Sequence, residues 1–385
     1  GFIGGLMRSV LQLRTPEVAG NNDQRSGLTS STPHPDASRA EAPPKLRFKD
    51  PQIEMSHGAG GKASRRLVEG LFAPLLLSSD SSERLADAAH IEIGGAIVAF
   101  TTDSFVVHPL RFPGGSIGEL AVNGTVNDLA VSGAKAHSMV VTFVLEEGLA
   151  SSVLEAEVRA MADALKRAGV TMVGGDTKVV ERGKADGMYI TTAGIGSPIH
   201  GVHVDAKTVR PGDKVLLSGP IGDHGITILL ARADLDLEAN LNSDTRSVLP
   251  MIEAMAAHAA PGIRWMRDPT RGGLATSLNE LARDCSLSIE LNEEEIPMRD
   301  EVRGACELLG LDPLHIANEG QFVAIVSPEF ANLALNAVQL TEGGAEARFI
   351  GQIRKEPANT VVVNTRYGGT RIVDMLVGDP LPRIC

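Results

Sequence analysis

The sequence predicts an α/β (α+β) protein of two domains, and three observations carry that prediction. First, 385 residues exceed what one hydrophobic core ordinarily serves. Second, strand-like and helix-like segments are interspersed through both halves of the chain rather than segregated. Third, the alternation restarts near Gly201, which places the boundary between Gly196 and Gly212. The expected organisation is a disordered or loosely held extension over 1–45, an N-terminal domain over 46–200, a C-terminal domain over 201–360 and a tail over 361–385.

The extension is rich in Ser, Pro and Asn from Asn21 to Pro44 and has no hydrophobic period. Gly1 to Leu13 contains no apolar stretch long enough for a secretory signal. His57 to Lys62 reads HGAGGK and leads into a helical pattern, Leu67, Leu71, Phe72 and Leu75, which Pro74 is expected to kink or end. Strand-like runs at Ile91 to Ile93 and Ala96 to Thr102 flank a Gly94-Gly95 turn. Ser116 to Glu119 is a capping-box pattern that opens a helix to about Ser132, with Gly133 as its stop. A strand is expected over Ser138 to Leu145. Ser152 is the expected cap of an amphipathic helix carrying Leu154, Val158, Met161 and Leu165 on one face, ended by Gly169. Strands are expected at Val170 to Val173 and Met188 to Ile195.

In the second half the predicted order is strand Lys214 to Leu217, a Gly-rich turn to Gly225, a helix through Leu229-Leu230, and a helix near Val248 to Ala259. Then come helix Leu274 to Asp284, strand Leu287 to Leu291, helix Glu301 to Leu309, strand Gln321 to Val326 and helix Pro328 to Leu340.

Composition excludes several function classes. Aromatic residues are only 3% of the chain, which argues against stacking platforms for single-stranded nucleic acid. A net charge of −12 opposes binding to nucleic acid or to anionic membranes, and no apolar run reaches transmembrane length. The three cysteines, Cys285, Cys306 and Cys385, form no CxxC pair, so neither a zinc site nor a disulfide framework is expected, and reduced cytoplasm is the natural home.

HGAGGK fails the phosphate-loop spacing, which requires Ser or Thr where Ala63 stands. The amides around Gly60, Gly61 and Lys62 are still suited to cradle phosphate at a helix start, and a plain tight turn accounts for the motif equally well. Asp103, Asp128 and Asp176 stand at element ends beside small residues, with Asn127 adjacent. Carboxylates gathered from separate elements are how Mg²⁺ is held around a triphosphate, whereas each alone is a cap or a surface charge. Lys178 shares a face with Asp176 on an extended segment, placed either to offset charge on a phosphoryl group or to pair with that Asp. Arg271, between Thr270 and Gly272-Gly273, is a phosphate fork or a surface ion pair. Glu319, between Asn318 and Gly320, is a desolvated general base or a turn carboxylate. His224 and His315 read as histidines satisfied within the fold.

The chain ends in Pro380-Leu381-Pro382-Arg383-Ile384-Cys385. The prolines keep that end extended, and six extended residues reach at most about 20 Å, enough to carry a thiol from the surface into a cleft. The thiolate is a nucleophile and an acyl carrier; the alternative is a frayed terminus. Cys285 and Cys306 lie in helical runs and read as packing residues.

In order along the chain, HGAGGK, TTDSFVV, GTVNDLAVSGAK, GGDTKVV, DPTRGGLA, NEG and the terminal PRIC together resemble the HypE family of carbamoyl dehydratases, hydrogenase maturation proteins. These are similar in turn to aminoimidazole-ribonucleotide synthetase and selenophosphate synthetase. The resemblance covers roughly residues 50 to 385, and PRIC separates this family from its relatives. It implies a PurM-like architecture of two α/β domains, with the N-terminal domains paired in a homodimer and ATP bound near that interface. It implies that a carbamoyltransferase, HypF, loads a carbamoyl group onto the terminal thiol. The enzyme then dehydrates the thiocarboxamide to a thiocyanate with ATP and Mg²⁺, and cyanide passes to iron on a HypC–HypD scaffold for a [NiFe] hydrogenase. On this chain it implies Cys385 as acceptor, Lys178 and Glu319 as the catalytic pair, and Asp103, Asp128 and Asp176 as Mg-ATP ligands. Two other readings remain: a carrier that shuttles a group on Cys385 with a regulatory nucleotide site, and another ATP-dependent synthetase or kinase of the superfamily.

Overall fold

The computed structural model describes residues 47–76, 86–232, 239–378, 381 and 383–385. The predicted extension over 1–45 and, in the tail, Asp379, Pro380 and Pro382 lie outside the described residues. The first described helix is α1 (Lys62–Leu67), joined through a π-helical turn over Val68–Phe72 to α2 (Ala73–Leu76). The wide turn directly precedes Pro74, whose missing N–H cannot continue regular helical bonding, so the expected kink takes this form.

There follow β1 (Ala89–Ile93), β2 (Ala96–Phe105), β3 (Arg111–Phe112), β4 (Gly115–Ser116), α3 (Ile117–Val131), β5 (Ala134–Glu146), α4 (Ser151–Ala168), β6 (Thr171–Val180) and β7 (Met188–Pro198). Strands β3 and β4 form a small ribbon, and the other five make one sheet in the order β1-β2-β7-β5-β6. Only β5 and β6 run parallel, because α4 supplies the crossover between them. The two faces of this sheet differ. On β2, Ala99, Thr101 and Phe105 are buried against α3, whereas Phe100, Thr102 and Ser104 face outward. Helix α3 is buried around nearly its whole circumference, as an apolar helix between a sheet and two other helices, α4 and the later α6 (Leu249–Ala259), must be.

Ser116 occupies the N-cap of α3, yet its hydroxyl makes no cap bond. Glu157 of α4 takes that role: its Oε2 accepts from the Gly118 amide at 3.1 Å, and Glu119 pairs with Arg167 instead of closing a capping box. The cap of α4 is Ala150 rather than Ser152.

The second half holds β8 (Lys214–Leu217), α5 (Asp223–Ala231), the α6 already given, β9 (Ile263–Arg267), α7 (Gly273–Cys285), β10 (Ser288–Asn292), α8 (Asp300–Leu309), β11 (Val323–Val326), α9 (Pro328–Gln339), β12 (Arg348–Arg354), β13 (Thr360–Asn364) and β14 (Thr370–Val373). Its seven strands run in the order β14-β13-β10-β12-β8-β11-β9. Helix α7 packs on one face, where Leu274, Leu278 and Leu281 meet Val215, Leu217 and Ile325. The residues between these, Leu216, Ala324 and Val326, join α6 and α9 in the other core. Burial on both faces is why β8 and β11 read as unbroken apolar runs.

Strands β9, β12, β13 and β14 are not foreseen from the sequence. The last two shorten the predicted tail: the sheet continues to Val373, so the arm begins after that residue rather than at 361.

Helices α3 and α4 approach closely at Gly118, where an added Cβ would lie 2.1 Å from the Glu157 carbonyl oxygen and 2.9 Å from its carbon. Both contacts are backbone, so Gly118→Ala must drive α3 and α4 apart. The expected cost is about 1–3 kcal/mol after overpacking is set against a helix-propensity gain of up to about 1 kcal/mol. Thermal denaturation checks this; an unchanged or higher Tm would show that the helices yield freely.

Candidate active site

Residues from both halves meet where α3 ends. Asp128, on the last turn of α3, lies with Oδ2 3.0 Å from Thr101 Oγ1 of β2. Asp87, ahead of β1, holds Arg267 Nη1 at 2.6 Å, and Asp268 comes directly after β9. Carboxylate oxygens of Asp87, Asp128 and Asp268 all lie within 4.8 Å of one another. Burial raises the pKa of each, and repulsion from neighbouring carboxylates adds to it: Asp268 is pushed up to about 8, and Asp128 well above the usual carboxylate range. Asp103 adds to that repulsion and is itself raised by burial, with Arg271 Nη2 3.9 Å away as its counter-charge. The donor set is all oxygen and over-supplied with negative charge, which fits a hard divalent cation such as Mg²⁺.

Glu319 is buried, with 3% of its surface exposed, and its Oε1 has no hydrogen-bond partner. Burial first, then Asp268, Asp244 and Asp103, raise its pKa well above the ordinary value, while Arg271 opposes them. Its backbone is clamped: the Glu319 amide donates to Asp244 Oδ1 at 3.0 Å, and the Gly320 amide to Asp244 Oδ2 at 3.2 Å.

The chain end is docked in the same region. Leu381, Ile384 and Cys385 are buried, the last with 8% exposed. The tail lies antiparallel to the residues just past β2: the Val106 amide donates to the Cys385 oxygen at 3.1 Å, and the His108 amide to the Arg383 carbonyl at 3.2 Å. Arg232 Nη2 donates to the Arg383 carbonyl at 2.8 Å, and Arg383 pairs with Asp186 at 2.5 Å. The charge at Cys385 is the largest influence holding the Arg271 guanidinium's pKa up, and Glu319 contributes as well. The charges of the chain end, Glu319 and Asp103 thus all act on Arg271. Cys306, by contrast, has its thiol pushed up to about 11 by burial, the state of a packing residue rather than a nucleophile.

The other predicted residues fall elsewhere. The metal set Asp103, Asp128 and Asp176 is not assembled within the chain. Register pairs Asp103 with Thr192, Thr192 with Val141 and Val141 with Gly175, so Gly175 shares the covered face and Asp176 takes the opposite, open one. There Asp176 pairs with Lys178 at 2.6 Å. Asp87 and Asp268 stand in its place. Asp268 opens the DPTRGG motif, singled out for its arginine; Asp87 belongs to no motif.

Asn127 binds protein rather than a free site. Its Nδ2 donates to the carbonyls of Arg246 at 3.0 Å and Glu319 at 3.2 Å, and its Oδ1 accepts from the Val248 amide at 2.8 Å. The HGAGGK turn packs on Arg271 and on the root of the tail. A Cβ on Gly60, whose φ is +77°, would meet the Arg271 carbonyl at 2.8 Å, and one on Gly61 would meet that of Leu376 at 2.4 Å. The Lys62 amide donates to the Leu376 carbonyl at 2.9 Å, and Lys62 Nζ pairs with Asp374 at 2.5 Å.

Comparison with known proteins matches residues 85–197 to the N-terminal domain and residues 210–364 to the C-terminal domain of AIR synthase related proteins. The chain is 47% identical over 341 residues to the carbamoyl dehydratase HypE of Azotobacter vinelandii, covering 89% of this chain and 99% of that one. It is 42% identical over 338 residues to the Escherichia coli K12 HypE, covering 86% and 99%. Among solved structures, a HypE–HypF complex superposes with a TM-score of 0.75 at 41% identity, covering 80% of this chain and 99% of that one. A HypE in complex with ATP superposes with a TM-score of 0.72 at 41% identity, covering 87% and 100%.

The acidic trio generates a direct test. Asp128→Asn or Asp268→Asn is expected to weaken Mn²⁺ or Mg²⁺ binding by more than about 10-fold, the lower range for losing even an outer-shell partner. Calorimetric titration of the folded variants reads it, and wild-type affinity in both would take the cation away from this trio.

Proposed function

This chain belongs to the HypE family of carbamoyl dehydratases, and from that premise we propose that it dehydrates a carbamoyl group carried on Cys385 to a thiocyanate at the expense of ATP. The observation that carries the reading is the docked tail: the terminal cysteine and a glutamate are both buried, and the charges of both act on Arg271. A carrier with a merely regulatory nucleotide site has no use for a desolvated carboxylate at that position.

The carbamoylated thiol is a thiocarboxamide, S–C(=O)–NH₂, whose oxygen is a weak nucleophile. Glu319 takes one N–H proton, and the electron pair moves toward the oxygen, which attacks the γ-phosphate of ATP and releases ADP. Loss of the second N–H proton expels phosphate and closes C≡N. Thiocarboxamide and ATP thereby give thiocyanate, ADP and phosphate; the oxygen leaves on phosphate and nothing is oxidised or reduced. Arg271 is the resident cation beside the reacting group, suited to charge that develops on the transferred phosphoryl. A divalent ion held by Asp87, Asp128 and Asp268, with Asp103 close by, supplies Lewis-acid stabilisation of that charge when bound.

Lys178 and Asp176 enter this reading through a second copy of the chain. The open face of the first sheet exposes Phe100, Val140 and Ile195, with Ile91 and Ile93 on β1, an apolar surface suited to pairing. Both charged residues lie on β6 on that same face, so pairing brings them from one protomer toward its partner. The resulting roles are Lys178 as a second phosphoryl cation and Asp176 as its orienting partner. HypF loads the thiol, as the solved complex of a relative with HypF supports, and a HypC–HypD scaffold receives the cyanide.

Two outcomes are expected. Glu319→Gln is expected to accept the carbamoyl group and bind ATP, yet form nitrile about 10²–10⁴-fold more slowly in a single turnover, read as the loss of one water from the C-terminal peptide by mass spectrometry. Because the base must be ionised, the wild-type rate falls as pH drops through the raised pKa of Glu319, well above 4.5, and this limb is absent from the variant. Nitrile at the wild-type rate in the variant would remove Glu319 from the mechanism. Phe100→Asp is expected to yield monomers in sedimentation velocity and to stall dehydration; a dimeric variant would place pairing elsewhere.

A further inference from the structure

His224 lies in the first turn of α5 with no exposed surface, and both of its ring nitrogens are engaged. Nε2 is 2.6 Å from the carbonyl oxygen of Ile384, the residue before the acceptor cysteine. Nδ1 is 2.8 Å from Ser243 Oγ. A carbonyl only accepts, so Nε2 carries the proton, and in the neutral ring Nδ1 is then the acceptor. Ser243 fits that assignment: its oxygen accepts from the Thr245 amide at 3.1 Å, which leaves its own proton for Nδ1. The direction of the whole chain is therefore set, from the Thr245 amide to Ser243, from Ser243 to His224, and from His224 to Ile384. Burial keeps the ring neutral by lowering its pKa, and Phe112 packs edge-on against it with ring centroids 5.6 Å apart.

The neighbouring residue of the same loop holds the other half of the reaction. Asp244 receives the amides of Glu319 and Gly320. The two loops touch so closely that a Cβ on Gly320 would lie 1.8 Å from the Asp244 carbonyl oxygen. Ser243 thus acts through His224 on the tail, and Asp244 acts directly on the base.

We propose that His224, oriented by Ser243, is the positioning residue that latches the docked tail, and that the Ser243-Asp244 pair registers Cys385 against Glu319 in one rigid frame. This rests on the reading of Cys385 as the carried acceptor. When the tail withdraws, Nε2–H gives up the Ile384 carbonyl, so the latch biases the arm toward the docked state. A buried hydrogen bond of this kind corresponds to about a 5- to 100-fold shift in the equilibrium between docked and withdrawn states.

The test is the rate at which Cys385 in the full-length protein is alkylated by N-ethylmaleimide, read by mass spectrometry of the C-terminal peptide. His224→Ala is expected to raise that rate about 5- to 100-fold. The same variant is expected to slow single-turnover nitrile formation without lowering carbamoyl loading, because loading uses the withdrawn arm. His224→Gln, which returns an N–H donor near the Nε2 position, is expected to restore slow alkylation. If His224→Ala does not fold, Ser243→Ala serves in its place: it leaves the ring but removes the donor to Nδ1, and it is expected to raise the rate as well. Wild-type alkylation in a folded His224→Ala or in Ser243→Ala would overturn the latch. So would equal acceleration in the Ala and Gln variants, since packing alone would then explain it. Alkylation reports docking without any carbamoyl chemistry. Failure of the wild type to form nitrile would therefore sink the proposed reaction and leave the latch result standing.

Discussion

The structure depends on the burial of more negative charge than the local cations offset. Burial raises the pKa of Asp87, Asp103, Asp128, Asp268 and Glu319, neighbouring carboxylates add to it at all of these but Asp103, and Arg267 and Arg271 face them. Such a cluster is costly in a low-dielectric interior unless the charges are neutralised by protons, by the arginines or by a bound cation. The fold tolerates it because each acid comes from a different element, and each element is fixed by apolar packing remote from the charge. Helix α3 is the clearest case. Leu120, Val126 and Leu129 are fully buried, and that core holds Asp128 where electrostatics alone would drive it toward water. In the proposed reaction Mg-ATP brings the neutralising cation, so the electrostatic penalty of the cluster is converted into binding and catalytic competence.

A second constraint is registration between the two halves. Asn127, next to Asp128, spends its side chain on the backbones of Arg246, Val248 and Glu319. Asp244 accepts from the amides on either side of the Glu319 Cα, those of Glu319 and Gly320. The base is therefore positioned by its main chain, which leaves its carboxylate uncommitted, as a proton acceptor must be. A side chain held by its own hydrogen bonds would be better ordered and less reactive.

The sequence discloses local features and conceals those that depend on register. Helices α3, α4 and α9 are legible because their periodicity, or a proline at the start and a glycine at the end, is local information. The unforeseen strands β9 and β12–β14 are identified mainly by what they pair with. Cys385, Glu319 and Arg271 stand out because each sits in an unusual local context that survives folding. Asp176 misleads because strand parity is invisible until register is known: one residue decides which face it joins. Asp87 carries no local signal at all, and its role emerges only when β1 and β9 are brought together. Asn127 looks like a ligand-binding residue since the sequence does not reveal that three backbone groups claim it. His224 reads as satisfied, and it is; what the sequence cannot show is that the tail satisfies it.

In the proposed reaction the tail is both held and released, and its contacts are scaled to that. Burying Leu381 and Ile384 contributes about 3–6 kcal/mol, and four hydrogen bonds, from Val106, His108, His224 and Arg232, about 4 kcal/mol. Ordering the backbone of the four described residues, 381 and 383 to 385, costs about 4–8 kcal/mol. Gain and cost nearly cancel, so docked and withdrawn arms lie within a few kcal/mol of each other, the regime in which a ligand or a partner shifts populations. The anchor at the root, where Lys62 holds Leu376 and Asp374, lies outside this balance. In the proposed reaction it fixes the pivot of the arm, and HGAGGK serves as the bearing of that pivot. A tail bound much more strongly would never present its thiol to a transferase, and one bound much more weakly would leave Glu319 without a substrate.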